Sequence, residues 1–299
     1  LHRAQGMKIG FIGLGAMGRH MAANLQRAGH ELQGYDLRQV DGFSNKKSAV
    51  EAMQGCELLF TSLPGPTEVE AVGQQVEGVS AWFDTSTNSP TVIRRIHDSL
   101  KKKKIQFLDA PVSGGPKGAE TGKLAIWVGG EQAVFDKYLS ILKVIGDQPL
   151  YVGAIGAGTV AKLAHNAASF AVQAALAEVF TLGVKGGVEP LALFKALRQG
   201  ASGRKRTFDR LAEHFLPGKY DPAAFSLRLA HKDVSLAMEL ARESGVPMKI
   251  GAIALQELEE GMRRGWSERD CRVTMTLQSE RAGVDVRVPP DKLGAALAD

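Results

Sequence analysis

The sequence predicts an α/β protein: a doubly wound, mostly parallel sheet domain, then a long helix, then an all-α C-terminal domain. Three observations predict it. Short, nearly continuous apolar runs alternate with helical stretches through the first half of the chain. A glycine-rich turn follows the first run and opens the first helix. From Thr159 onward the pattern turns helical, with no convincing strand.

Taken in order, Lys8–Ile12, Leu32–Tyr35, Leu58–Ser62, Trp82–Thr85 and Gln106–Ala110 read as strands. Their nearly continuous apolar character is that of parallel strands covered on both faces. Helical stretches lie between them, notably Met17–Ala28 and Pro90–Lys102. Ser89 before Pro90 suits an N-cap followed by proline at the first helical position. After Gly129 and Gly130 a helical pattern runs to about Val144, and a short strand follows at Leu150–Val152. Gly153, Gly156 and Gly158 then precede a helical stretch from Thr159 to Gly186. Breakers at Gly186-Gly187, Pro217-Gly218 and Gly245 with Pro247 divide what remains. Repeated strand–helix alternation implies a Rossmann-type sheet. The expected divisions are a Rossmann-type domain over 7–153, a glycine turn and long helix over 154–186, and an all-helical domain over 187–299.

Composition bounds the function. Of 299 residues, 44% are hydrophobic and 23% charged, the balance of a soluble globular protein. The net charge of +5 and pI of about 9.1 are modest and spread along the chain. They favour a small anionic substrate or a cofactor phosphate and leave no nucleic-acid footprint. The basic run Lys101–Lys104 reads as the solvated end of a helix, where cations complement the dipole. Cys56 and Cys271, the only cysteines, lack metal-ligand spacing and fit a reducing compartment. No metal site is expected. No apolar run reaches membrane length. Leu1–Gly6 contain no signal-peptide h-region and read as an extension before Met7. A cytoplasmic protein is expected.

Gly13-Leu14-Gly15-Ala16-Met17-Gly18 is a G-x-G-x-x-G placed between a strand and a helix. The glycines allow a tight turn, close approach of backbone to a pyrophosphate, and close helix–strand packing. Asp36 ends the second strand, where a carboxylate accepts the adenine ribose hydroxyls. The same charge repels the extra phosphate of NADP, so NAD is favoured. Arg38 leaves NADP possible by offering that phosphate a partner.

In the long helix, Lys162, Asn166, Ser169 and Gln173 fall on one narrow face. If the helix is otherwise buried, this stripe lines a cleft, and a desolvated lysine there serves as an acid–base group. The same pattern fits a lysine that snorkels to solvent beside a satisfied asparagine. On a later predicted helix, Phe225, Leu229 and Lys232 share a face, with Asp233 adjacent. Arg228 stands four residues before Lys232, and two such cations repel unless an anion lies between them. A solvated basic face is the alternative.

Together these motifs resemble the β-hydroxyacid dehydrogenase family, which includes 3-hydroxyisobutyrate dehydrogenase and tartronate semialdehyde reductase. Ile9–Gly18 with Met21-Ala22-Ala23-Asn24-Leu25 is similar to the family's opening signature. Asp109-Ala110-Pro111-Val112-Ser113-Gly114-Gly115-Pro116 resembles its substrate loop. Gly156-Ala157-Gly158 with Lys162 and Asn166 resembles its catalytic helix, and Phe225 with Lys232-Asp233 its late motif. The likeness runs from about Lys8 to Met275.

That resemblance implies a hydride transfer between NAD(P) and a small β-hydroxy acid or its semialdehyde. Lys162 would be the general acid/base. Ser113, Gly114, Gly115, Asn166 and Lys232 would hold the substrate. Gly13, Leu14, Gly15, Ala16, Met17, Gly18, Asp36, Leu63, Pro64, Ser86, Phe225 and Lys232 would contact the cofactor. The helical domain would serve substrate binding and oligomerisation, with a homodimer or homotetramer implied. The chain departs from the family in two places. His165 stands where a first asparagine often precedes Asn166, and the segment between Asp36 and Leu58 is short. The competing readings are a non-catalytic NAD(P)-binding reader or sensor on the same fold, and an imine reductase; Lys162 argues against both.

Overall fold

A computed structural model describes residues 6–185, 187–200, 208–243 and 248–298. The expected breakers Gly186, Gly245 and Pro247 lie outside the described residues. The chain folds as two compact units, Leu1–Ala164 and His165–Asp299.

In the first unit the strands are β1 (Lys8–Ile12), β2 (Glu31–Tyr35), β3 (Ser44–Asn45), β4 (Leu58–Thr61), β5 (Ala81–Asp84), β6 (Gln106–Asp109), β7 (Val112–Ser113), β8 (Ala125–Gly129) and β9 (Gln148–Gly153). They align in the order β3-β2-β1-β4-β5-β6, parallel throughout. Strand β8 pairs antiparallel with both β6 and β7, and its other partner is β9, in parallel. The helices are α1 (Gly18–Arg27), α2 (Ala49–Met53), α3 (Pro66–Gln75), α4 (Pro90–Lys101), α5 (Gly115–Thr121) and α6 (Gln132–Ile145).

Neighbouring side chains on a strand point to opposite faces, and here each face has its own core. Phe11, Phe60 and Phe83 stack across β1, β4 and β5 at 6.0 and 5.3 Å and pack with residues of α1, α5 and α6. On the other face Trp82 meets Phe107 at 4.4 Å, under residues of α2, α3 and α4. Two covered faces explain why these strands read as nearly continuous apolar runs.

Strands β3, β7 and β8 were not expected. The first two have two residues each and carry no period. The antiparallel β8 hides because Gly129 and Gly130, which end it, read as a break. Ser89 does occupy the N-cap of α4, with Pro90 behind it, but its side chain makes no cap hydrogen bond. The Lys101–Lys104 run is exposed, as expected.

The long helix α7 (Ala157–Lys185) leaves the first unit and continues into the second. The second unit adds α8 (Pro190–Gln199), α9 (Leu227–Glu243), α10 (Lys249–Arg263), α11 (Thr276–Ala282) and α12 (Pro290–Ala298). One core gathers Phe180, Phe194, Phe215 and Leu293, and another Phe170, Leu227, Val234 and Leu258. Among the described residues no helix is long and apolar enough to cross a membrane.

Two expectations need correction. Helix α7 is not buried on several sides, as its apolar lettering implied: Leu163, Asn166, Ala167 and Phe170 are buried, but Ala164, His165, Ala168, Val172 and Ala175 are exposed. Alanine has little apolar surface to hide, so apolar lettering overstated its burial. Phe225 does not share a helical face with Lys232, because α9 begins only at Leu227. Phe225 and Ala224 instead donate their backbone N–H groups to the fully buried Asp270 carboxylate, at 3.2 and 3.1 Å.

Candidate active site

The carboxyl ends of parallel strands in an open α/β sheet share one edge, where ligands bind. In the first unit that edge carries the loops after β1, β2, β4, β5 and β6. After β1, Gly13 adopts φ +91° and donates its N–H to Tyr35 O at 2.8 Å. A Cβ on Gly13 would lie 2.2 Å from Ser62 O, and one on Gly18 would lie 1.8 Å from Gly13 O. The fold itself requires those two glycines. Gly15 differs: a Cβ there would meet nothing within 4 Å, and its φ is not in the left-handed region. No protein contact requires a glycine at this position. The open space suits the approach of a pyrophosphate to the backbone, at the N-terminus of α1.

Asp36, beyond β2, accepts from Leu14 N at 2.8 Å through Oδ2 and from Arg38 N at 3.1 Å through Oδ1. The acid is thereby tied to the turn. Ala16 is exposed and Met17 half-buried at the mouth of α1. Beside Asp36, Leu37 is 94% exposed, an apolar platform held in water. It is a residue the sequence reading missed, and its position directly after the acid was the available signal.

The loops after β4 and β5 are joined, since Leu63 N donates to Ser86 Oγ at 2.9 Å. Pro64 follows in the same loop. Beneath them Asp84, fully buried, accepts from Thr61 Oγ1 at 2.8 Å and from Ser86 N and Asn88 Nδ2 at 3.2 Å each. Trp82 Nε1 donates to the same Thr61 hydroxyl at 2.8 Å. Burial pushes the Asp84 carboxyl up to about 6, against the lowering effect of these hydrogen bonds.

That shift has a measurable sign. The folded state holds the Asp84 proton more tightly than the unfolded chain, so its stabilising contribution is full below about pH 3.8 and is lost as pH rises through about 6. Between about pH 4 and pH 7 the lost contribution is about 2 kcal/mol. Asp84→Asn removes the titration. Denaturant melts at the two pH values should show the wild type gaining on the variant by about that amount on acidification; a constant difference would refute it.

At the end of β6, Asp109 is fully buried and accepts from Gly156 N at 2.7 Å through Oδ1 and from Thr159 N at 2.6 Å through Oδ2. Burial raises its pKa, while these backbone hydrogen bonds oppose the rise. Lys162, half-buried, stands one turn beyond Thr159. Ser113, in β7, leads into the exposed turn at Gly114 and Gly115, whose φ values of +136° and +63° suit glycine.

In the second unit Asn166 is 7% exposed and donates Nδ2 to Asp233 Oδ2 at 2.6 Å. Lys232 Nζ lies 3.0 Å from the other Asp233 oxygen. Arg228 pairs with the exposed Glu268 at 3.1 Å, so this end of α9 presents a solvated charged face. Phe225 stacks with Phe170, ring centroids 6.2 Å apart. Asp233 had entered the sequence reading only as a neighbour of Lys232; the structure makes it the link between Asn166 and Lys232.

A parallel sheet with a glycine-rich strand–turn–helix after β1, an acid just beyond β2 and a long helix leading into an all-helical unit is the architecture of dinucleotide-dependent oxidoreductases. Residues 8–156 match the NAD-binding domain of 6-phosphogluconate dehydrogenase, and residues 156–277 match the NAD-binding domain of NADP-dependent 3-hydroxyisobutyrate dehydrogenase. The chain is 35% identical to 2-(hydroxymethyl)glutarate dehydrogenase of Eubacterium barkeri, over 94% of its own length and 97% of the relative's. It is 32% identical to NAD-dependent L-serine dehydrogenase of Pseudomonas aeruginosa, over 90% and 97%. A solved structure of Mycobacterium tuberculosis 3-hydroxyisobutyrate dehydrogenase with L-serine superposes with a TM-score of 0.81 at 28% identity, over 91% of this chain and 99% of that one. The chain belongs to the β-hydroxyacid dehydrogenase family, NAD(P)-dependent oxidoreductases.

Proposed function

We propose that the protein interconverts a small β-hydroxy acid and its semialdehyde with NAD, using Lys162 as general acid/base. The observation that carries the reading is the shared edge of the first unit. The pyrophosphate turn with Asp36, the Leu63–Ser86 loops and the anchored start of α7 all stand at the carboxyl ends of the parallel strands. Bound NAD supplies the hydride acceptor. Gly13–Gly18 take its pyrophosphate, Asp36 its ribose hydroxyls, and Leu37 the face of its adenine. Leu63, Pro64 and Ser86 line its path.

The protein's own work is to take the hydroxyl proton and hold the acid. Lys162 receives the proton in oxidation and returns it in reduction. Ser113 and the backbone N–H groups at Gly114 and Gly115 bind the carboxylate, and Lys232 adds a cation. Asn166 presents its Oδ1 as an acceptor, because a carboxylate accepts only and so turns Nδ2 toward itself. The relatives' names support a hydroxy acid of about this size, and the same fold in proteins that act on other groups does not displace Lys162 from its role.

The test is NADH formation from NAD with a panel of short β-hydroxy acids, including 3-hydroxyisobutyrate, glycerate, 3-hydroxypropionate and serine. Turnover of at least one is expected, with oxidation gaining rate as pH rises and aldehyde reduction favoured at lower pH. Binding of NAD with no turnover in either direction would overturn the reading.

A further inference from the structure

We propose that Asp109 is a positioning residue for Lys162: its carboxylate fastens the first turn of α7 to the end of β6 and thereby sets where the lysine amine stands. This rests on the acid–base role given to Lys162 above. Asp109 is fully buried at the head of the segment that resembles the family's substrate loop. Both its oxygens are spent on N–H groups at the helix start, Gly156 and Thr159, at 2.7 and 2.6 Å. The positive end of the helix dipole favours a negative charge there. A side chain offering one acceptor and one donor would satisfy only one of those N–H groups.

The surrounding backbone leaves the helix little freedom. A Cβ on Gly158 would lie 2.3 Å from Trp127 O and 2.7 Å from Asp109 O. A Cβ on Gly129 would lie 2.5 Å from Asp109 Oδ1 and 2.8 Å from Gly158 N. The helix start therefore rests directly against the ends of β6 and β8, glycine to glycine. Thr159, which donates its N–H to the carboxylate, and Lys162 are three residues apart on one helical face. With no break in α7 between them, a shift of the first turn is passed to the lysine undiminished. Misplacing a catalytic group by about 1 Å can cost about 100-fold in rate.

The experiment is a double-mutant cycle of Asp109→Asn and Lys162→Ala, read as kcat, KM and the NAD dissociation constant, with melting curves for every variant. Asp109→Asn should lower kcat about 10- to 100-fold, with KM and NAD affinity within about threefold. In the Lys162→Ala background, with turnover restored by added ethylamine, the same change should cost less than about twofold, because the group it positions is gone. Gly158→Ala, which leaves Asp109 intact but pushes the helix off the strands, should reproduce the kcat-specific loss and carries the cycle if Asp109→Asn does not fold. Equal losses in both backgrounds, or a loss confined to NAD affinity, would overturn the proposal while leaving the role of Lys162 standing. A wild-type rate in Lys162→Ala would overturn that role and the proposal with it.

Discussion

Lys162→Ala should lower turnover about 1,000-fold while NAD still binds within a factor of about two, general acid–base groups being worth roughly 10²–10⁴ in rate. The substitution is mild for the fold. Lys162 is half-buried within α7, and alanine is the best helix former, so the helix should persist. What vanishes is a group able both to accept and to return a proton. Lys162→Arg separates this role from that of a fixed cation, since a guanidinium keeps its charge and cannot deprotonate in the working range. Steady-state kinetics with a hydroxy acid from the panel should therefore find both variants defective. An arginine variant that kept more than about a tenth of the wild-type rate would make the residue an electrostatic clamp instead.

The second large effect separates two glycines that look alike in the motif. Gly18→Ala places a methyl 1.8 Å from Gly13 O and 3.1 Å from the Phe11 ring. Gly13 has little room to move, since its N–H is bonded to Tyr35 O and a Cβ built on it would lie 2.2 Å from Ser62 O. The turn must open, with overpacking costing about 1–3 kcal/mol and the melting temperature falling by a few degrees. NAD affinity should drop about 100-fold, equivalent to about 2.8 kcal/mol. Gly15→Ala puts its methyl in open space, so the melt should not move, yet affinity should fall because the methyl occupies the approach to the pyrophosphate. Calorimetric NAD titration beside thermal melts checks both. A Gly15→Ala protein that binds NAD like wild type would remove the ligand-based reason for that glycine.

How much of this was legible in the sequence depended on whether the cause was local. Lys8–Ile12 and Leu58–Thr61 show themselves as strands because two buried faces leave no polar residue in their interiors. The turn at Gly13–Gly18 shows itself because steric need selects glycine at fixed spacing. Asp84 and Asp109 also stood in plain sight, each closing an apolar strand, but nothing nearby says what an acid does there. Their partners are residues up to 50 positions away, such as Thr159 for Asp109. Phe225 was misassigned to a helical face for the same reason, being held by Asp270, 45 residues downstream. The link from Asn166 through Asp233 spans 67 residues and likewise has no local signature. Exposure of Ala164, Ala168 and Ala175 was hidden by letter class, since alanine is apolar but scarcely resists solvent.

Trp82 gives the carboxyl edge of the sheet an optical reporter of its own. Its indole N–H is bonded to the Thr61 hydroxyl that in turn serves Asp84, and the ring is wholly shielded from solvent. An indole whose hydrogen-bond partner is wired to a titrating carboxyl emits according to that carboxyl's charge. In a chain with Trp127 and Trp266 replaced by phenylalanine, the remaining fluorescence would follow the protonation of Asp84 without any label being attached.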